Sequence, residues 1–281
     1  MKVPAALGPA MRRRLYGTLA RVTVARAARL TWMMASMFFV ETLVFGISVL
    51  PAFLFWSWVL TLTQPRELWP LVKPTLVAMS LVPAYLLFAV SLAALSAAST
   101  RVFGWRTPPP GVWKLRDFEW PLLDWARYMI STHVVRVLVG TFFRASPLWT
   151  WYLRWNGARI GRGVYINSLS VTDHNMLEFG DGVVIGEHVH LSGHTVEGAQ
   201  LKTGPVRLGR FVTVGLGSIV GIGVEAGERC QIGALSVVPK YSKLEEGAVY
   251  AGAPARRIES SMARLQAHPE SPRVPDSASA D

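Results

Sequence analysis

The sequence predicts a left-handed parallel β-helix preceded by an α-helical transmembrane hairpin. Three observations predict it: an apolar residue that returns every six positions through the carboxyl-terminal half, two uncharged apolar stretches of membrane-spanning length before residue 100, and arginines gathered on the outer flanks of those stretches. The composition agrees, since 51% of the 281 residues are hydrophobic and 17% are charged, too apolar a balance for an ordinary soluble protein. The formal charge of +11 suits an anionic lipid surface, because the arginines flank apolar sequence. No zinc-ligand spacing, helix-turn-helix cue or aromatic RNA-binding consensus accompanies the charge, so nucleic-acid binding is set aside. Cys230 is the single cysteine, which rules out an intrachain disulfide and permits a cytoplasmic domain.

Residues 1–29 form a basic segment with Arg12, Arg13, Arg14, Arg21, Arg26 and Arg29 and no acid. Residues 30–100 are the predicted hairpin. The apolar run from Leu30 to Leu62, at about 1.5 Å per residue, exceeds a bilayer core of about 30 Å. It is also too long for the apolar region of a cleavable signal peptide, about 7–15 residues. Gln64, Pro65, Arg66, Glu67, Lys73 and Pro74 interrupt the pattern, and Leu76 to Ala98 supplies the second span. Basic residues before the first span, with Arg101, Arg106, Lys114 and Arg116 after the second, outnumber those of the connecting loop, which places both ends at the inner face of the membrane. Glu41 within the first span is read as a snorkelling or protonated carboxylate rather than a transport site.

Pro108, Pro109 and Pro110 stop the second helix, and residues 101–155 then mix aromatics with Arg127, His133, Arg136, Arg144 and Arg154. This linker is expected as one or two amphipathic helices on the membrane surface, or as a helical hairpin packed on the next domain. His133 reads as a surface or packing residue. Residues 259–281, rich in serine, proline and small residues, are expected to be a disordered tail.

Residues 156–258 carry the repeat. Leu208, Val214, Val220, Ala226, Ile232, Val238 and Leu244 recur at six, and Gly209, Gly215, Gly221, Gly227 and Gly233 follow the first five in order, with Ala226 and Ile232 among them. The same step appears upstream at Ile160 and Ile166 and at Phe179, Ile185 and Leu191. A period of six is not helical. It fits a β-helix in which each hexapeptide makes one flat side, three sides complete a coil, and glycine eases the corner. Two interruptions break it, between Ile166 and Phe179 and between Leu191 and Leu208. The second, running from Ser192 to Pro205, is a polar excursion that carries His194, either a harmless surface loop or a functional one.

Several of these stretches resemble the hexapeptide-repeat acyltransferases, which include galactoside, maltose and xenobiotic acetyltransferases. They are Ile185-Gly186-Glu187-His188-Val189-His190-Leu191, Gly193-His194, Ser236-Val237-Val238-Pro239-Lys240 and the closing Ala251-Gly252-Ala253-Pro254-Ala255-Arg256. The resemblance implies that His194 is the general base and that Asn167 and Asp173 lie at the acceptor. It implies a homotrimer that binds acetyl-coenzyme A in a groove between subunits, near Gly215, Ala234, Lys240 and Arg256. Thr213 and Tyr241 stand where the family often has tryptophan and aspartate. The chain as a whole also resembles the membrane-anchored terminal region of poly-lysine-synthetase-like (Pls/PosA-type) nonribosomal peptide synthetases, most clearly in Trp151-Tyr152-Leu153-Arg154-Trp155-Asn156-Gly157-Ala158-Arg159-Ile160-Gly161.

The chemistry expected of such a site is acyl transfer. An imidazole with a pKa near the working pH accepts the proton of an attacking hydroxyl or amine. Glu197 is a candidate to orient that imidazole, a task a backbone carbonyl would serve equally, and His174, beside Asp173 at the first interruption, joins Asn167, Asp173 and Glu197 around the substrate. His188 and His190 are expected to face solvent, and no metal is called for. Three readings stay open: an acyltransferase using acyl-coenzyme A with a lipid-linked, peptidyl or polysaccharide acceptor; a synthetase-associated module using aminoacyl carrier protein; and a trimeric scaffold without catalysis.

Overall fold

The computed structural model of the protein describes residues 9–64 and 71–258, with side chains from residue 23 onward. The expected tail at 259–281 and most of the connecting loop lie outside the described residues. Helix α1 (Pro9–Thr63) runs through the basic segment as well as the first apolar stretch, and helix α2 (Val72–Val102) takes up the second. The two pack against each other, with Phe45 and Phe88 edge to face at 5.5 Å. Both are long and apolar enough to cross a membrane. Their outer faces leave Phe38, Phe39, Phe53 and Trp58 of α1 and Met79 and Val82 of α2 exposed, a contiguous apolar surface of the kind that lipid covers.

Three further helices follow: α3 (Trp120–Leu138), α4 (Gly140–Phe143) and α5 (Pro147–Trp155). Proline near the start of α3 and α5 suits the first turn, where its missing N–H costs nothing. Leu123, Arg127, Ser131 and Val135 recur at four on α3 and are all buried, so this helix carries its stripe inward against α1 and α2. The linker is therefore packed between the long helices and the repeat domain. Polar contacts tie the helices together: Ser96 lies 3.1 Å from Ser131 and 3.5 Å from the Tyr152 hydroxyl, and Arg127 donates to Ser36 at 2.8 Å and to Asp124 at 2.8 Å. Glu41 lies at this contact beside Ser131, with its Oε1 buried. The linker also contains a strand that the sequence reading missed, Gly111–Lys114.

The repeat domain consists of three parallel sheets visited in rotation. The first holds Arg159–Ile160, Leu177–Phe179, Val206–Leu208, Glu225–Ala226 and Lys243–Leu244; the second Tyr165–Ile166, Val184–Ile185, Thr213–Val214, Gln231–Ile232 and Val249–Ala251; the third His190–Leu191, Ile219–Val220 and Val237–Val238. In the regular part each residue pairs with the one 18 positions on, as Val214 with Ile232, Val220 with Val238 and Ala226 with Leu244. Alternate side chains point inward, so Ile185, Leu191, Val214 and Ile232 are buried in one core. At the corners glycine has a steric reason: a Cβ added at Gly209 would lie 2.8 Å from the Glu228 nitrogen of the next coil. Strand Arg256–Ile258 turns back antiparallel onto Val249–Ala251 and covers that edge.

Register locates the interruptions. The second adds eleven residues to the regular step, so Leu191 pairs with Val220 and Phe179 with Leu208, each 29 positions apart. The first adds only one or two, with Ile166 pairing Ile185 and Val171 bridging Leu191. Both insertions enter at the same corner, where the chain leaves the third sheet for the first. They stack one coil apart.

Candidate active site

At this corner the first insertion makes a short 3-10 turn, His174–Met176, entered through Asp173 at φ 56° and ψ 51°. A non-glycine residue in this left-handed region is held there against its local preference, a form of strain that collects at functional sites. The second insertion forms a hairpin in which His194–Glu197 pairs antiparallel with Gln200–Thr203. Gly111–Lys114 adds a third antiparallel strand to it, with Gly111 opposite Thr203 and Lys114 opposite Gln200. The excursion is thus pinned by the linker, and Thr203 Oγ1 donates to the Pro109 carbonyl at 2.7 Å.

Stacking of the two insertions sets His194 Nδ1 2.5 Å from Asp173 Oδ2. The aspartate is wholly buried, and its oxygens accept from several other donors: Ser192 Oγ at 2.8 Å and the Gly193 N–H at 3.1 Å on Oδ2, Thr107 Oγ1 at 2.6 Å and Trp125 Nε1 at 3.3 Å on Oδ1. Burial pushes the Asp173 carboxyl up, but the bonds and charge from His194 and the bonds from Thr107 and Ser192 outweigh it and hold the pKa down to about 2. Such a carboxylate accepts the Nδ1 proton of His194, which leaves the Nε2 lone pair with no protein partner among the described residues. The His194 side chain keeps 19% exposure, and the Trp125 ring stands edge to face on it at 5.0 Å. Gly193 leaves the room for this contact, since a Cβ there would come within 2.5 Å of Met176 Cβ and 3.0 Å of Asp173 Cβ. Thr107 is positioned in turn by Asn175, which accepts from its N–H at 3.1 Å and donates to its carbonyl at 2.9 Å. A carboxylate that fixes the tautomer of a largely buried but still accessible histidine is an arrangement for general-base chemistry at Nε2.

No family model matches this chain. It is 29% identical over 147 residues to the Delta-poly-L-ornithine synthetase of Acinetobacter baumannii (strain AB307-0294), a match that covers 52% of this chain and 10% of that much longer protein. Among solved structures it is similar to a hexapeptide-repeat acetyltransferase of Vibrio cholerae O1 biovar eltor complexed with acetyl coenzyme A, at 23% identity and a TM-score of 0.34, over 37% of this chain and 60% of that one. It is similar to a galactoside acetyltransferase in complex with coenzyme A, at 27% identity and a TM-score of 0.33, over 40% and 59% of the two chains. A serine acetyltransferase from Brucella abortus strain S19 aligns over 75% of this chain and 71% of its own, at 18% identity and a TM-score of 0.35.

The remaining candidate residues are divided among the corners. Glu197 is three residues along a strand from His194, about 10 Å at strand rise, and pairs with Lys202 at 3.1 Å and with Lys240. The orienting contact to His194 is made by Asp173, which stacking brings beneath it. Asp173 itself, expected beside the acceptor, is closed off from solvent by the groups that bond it. His174 is likewise buried, with its ring edge to face with Tyr128 and Tyr152 and its Nε2 3.2 Å from the Val171 carbonyl. Burial pushes its pKa down to about 4, so it is neutral packing behind the dyad. Asn167 is half-buried where the second sheet leads to the third, a different corner from His194. Gly215 and Ala234 stack at that same corner one coil apart, Arg256 lies across from Ala251 on the adjoining edge, and Lys240 goes with the hairpin. His188 is an exposed corner residue, and His190 points outward from the third sheet. Trp125 and Thr107 were not legible as site residues, because nothing local marks a residue whose partner lies 48 or 66 positions away; Ser192 is one polar residue of the excursion among several until stacking sets it on Asp173.

Proposed function

We propose that this chain is a membrane-anchored acyltransferase of the hexapeptide-repeat type, its three parallel sheets wound as a left-handed β-helix. The observation that carries the reading is the Asp173–His194 contact, a buried ionised carboxylate holding a partly exposed imidazole. The attacking amine or hydroxyl gives its proton to His194 Nε2 as its heteroatom bonds the acyl carbon, and the carbon–sulfur bond of the thioester breaks to release a thiol that takes up that proton. Asp173 remains ionised and stabilises the imidazolium. Acetyl-coenzyme A is the proposed donor, bound in a groove between subunits of a homotrimer near Gly215, Ala234, Lys240 and Arg256. Leu216, Leu235 and Ile219 stay exposed around that corner, apolar surface suited to a neighbouring subunit. With α1 and α2 crossing the membrane and both ends at its inner face, the dyad meets a lipid-linked, peptidyl or surface-polysaccharide acceptor.

The likeness to Delta-poly-L-ornithine synthetase favours a second reading, in which the acceptor is an amine and the donor an aminoacyl group on a synthetase carrier protein. One experiment separates the two. The detergent-purified chain is incubated with acetyl-coenzyme A or with aminoacyl carrier protein, alongside His194→Ala. Turnover of acetyl-coenzyme A that His194→Ala abolishes supports the first reading, and turnover of the carrier-bound donor alone supports the second. Binding of neither sinks both and leaves a scaffold.

A further inference from the structure

A second cleft, of about 500 Å³, lies where the end of α2 and the following loop meet α5 and the first coil. Arg101, Arg106 and Arg159 converge on it. Arg159 shares Glu178 at 3.2 Å, whereas Arg101 and Arg106 pair with no carboxylate among the described residues. The carboxyl end of the α2 dipole takes up part of the Arg101 charge; Arg106 stands on the loop beyond it. The floor is Gly157, at φ +102°, where an added Cβ would lie 3.1 Å from Asn175 Cβ. Polar groups of the wall are already spent on each other, as Asn175 on Thr107 and Asn156 on Thr100 and Tyr152, so the guanidinium donors are what the cleft offers a ligand.

We infer that this cleft binds a phosphate-bearing anion. Guanidinium groups match phosphate oxygens in pairs, and two of them without an acid partner leave a positive charge that a phosphate would neutralise. Its place at the last turn of the second apolar helix puts it at headgroup level if that helix crosses the bilayer. Thr107 lines the cleft and donates to Asp173, so an occupant sits one residue from the dyad. The inference stands apart from the acyltransferase reading, because it concerns different side chains and is read by binding.

The test is the unfolding temperature of the full chain in dodecyl maltoside, titrated with short-chain phosphatidylglycerol, with phosphatidylcholine of equal chain length, and with inorganic pyrophosphate. Saturable stabilisation by phosphatidylglycerol over phosphatidylcholine is expected. Arg101→Gln with Arg106→Gln should weaken it about tenfold or more, the scale of one charge-assisted hydrogen bond, while Arg116→Gln outside the cleft leaves it unchanged. If the glutamine pair does not fold, Arg101→Lys with Arg106→Lys keeps the charge and should show an intermediate loss. Stabilisation by the lipid alone assigns the site to a membrane headgroup, and stabilisation by pyrophosphate, alone or in competition with lipid, assigns it to a soluble phosphoryl ligand. Saturation by neither anion, equal saturation by phosphatidylcholine, or affinity untouched by the arginine substitutions overturns the inference.

Discussion

In the regular coils all three corners of the repeat are built by glycine against backbone, and in the first two coils one of those corners is built instead by two insertions against each other. At the regular corners the chain turns within six residues, and Gly209 or Gly227 passes so close to the next coil that a methyl group would strike its nitrogen. At the corner between the third and first sheets the same turn is lengthened twice in succession, and Gly193 is needed because side chains, Met176 and Asp173, crowd it. The regular corners spend their sequence on stacking. The interrupted corner gives up regularity, holds Asp173 in a left-handed backbone conformation, and obtains a buried acid under a partly exposed histidine. Solenoids tolerate such local departures because each coil is stabilised by its neighbours on the other two sides.

Substitutions at the two kinds of corner should separate activity from stability. The largest expected effect is His194→Ala, which should lower acyl turnover about 10²- to 10⁴-fold, the usual contribution of a general base, with the unfolding temperature little changed. Loss of activity only together with loss of the fold would break the contrast. Asp173→Asn comes next. It should lower turnover, since an amide can present either an oxygen or an NH₂ to Nδ1, and cost about 1–3 kcal/mol of stability, because the donors of Thr107, Ser192 and Gly193 lose an ionised acceptor. The native pKa of this group is held down to about 2 against an ordinary 3.8, so its stabilisation is present above pH 3.8 and is lost as the pH falls from 3.8 toward 2. Acid unfolding of Asp173→Asn should lack that component.

Gly209→Ala, on a regular corner, should cost about 1–3 kcal/mol through the clash with Glu228 and leave turnover per folded molecule unchanged; a fall in turnover would show that the two corners are coupled. His174→Phe sharpens the boundary of the site. As a buried neutral imidazole with its pKa pushed down to about 4 from 6.5, His174 destabilises the fold as the pH drops from 6.5 toward 4. Replacement by phenylalanine should flatten the melting profile across that window. The smallest effect is expected on the outer face of the first sheet, where Arg159, Glu178, Arg207, Glu225 and Lys243 form an exposed charged ladder. Arg207→Gln should change stability by less than about 1 kcal/mol, and less still in high salt.

Periodicity by itself determined the two apolar helices, the six-residue sides, their inward residues and the existence of two interruptions, since each of these is a short-range pattern that backbone geometry imposes on neighbouring residues. It also marked the longer polar excursion that carries His194, while the role of that histidine came from the family resemblance. Tertiary structure alone decided that the interruptions share a corner, because that depends on register: the residues between Val171 and Leu177 and between Leu191 and Val206 project together only once the coils are stacked. From that followed the exchange of roles between Glu197, adjacent in sequence but carried off along a strand, and Asp173, remote in sequence but one coil below. Thr107 and Trp125 reach the same carboxylate from the linker, which the sequence presents only as proline and aromatic-rich chain. A pairing between residues dozens of positions apart leaves no local pattern, since it depends on where packing brings distant segments and not on the preferences of either one.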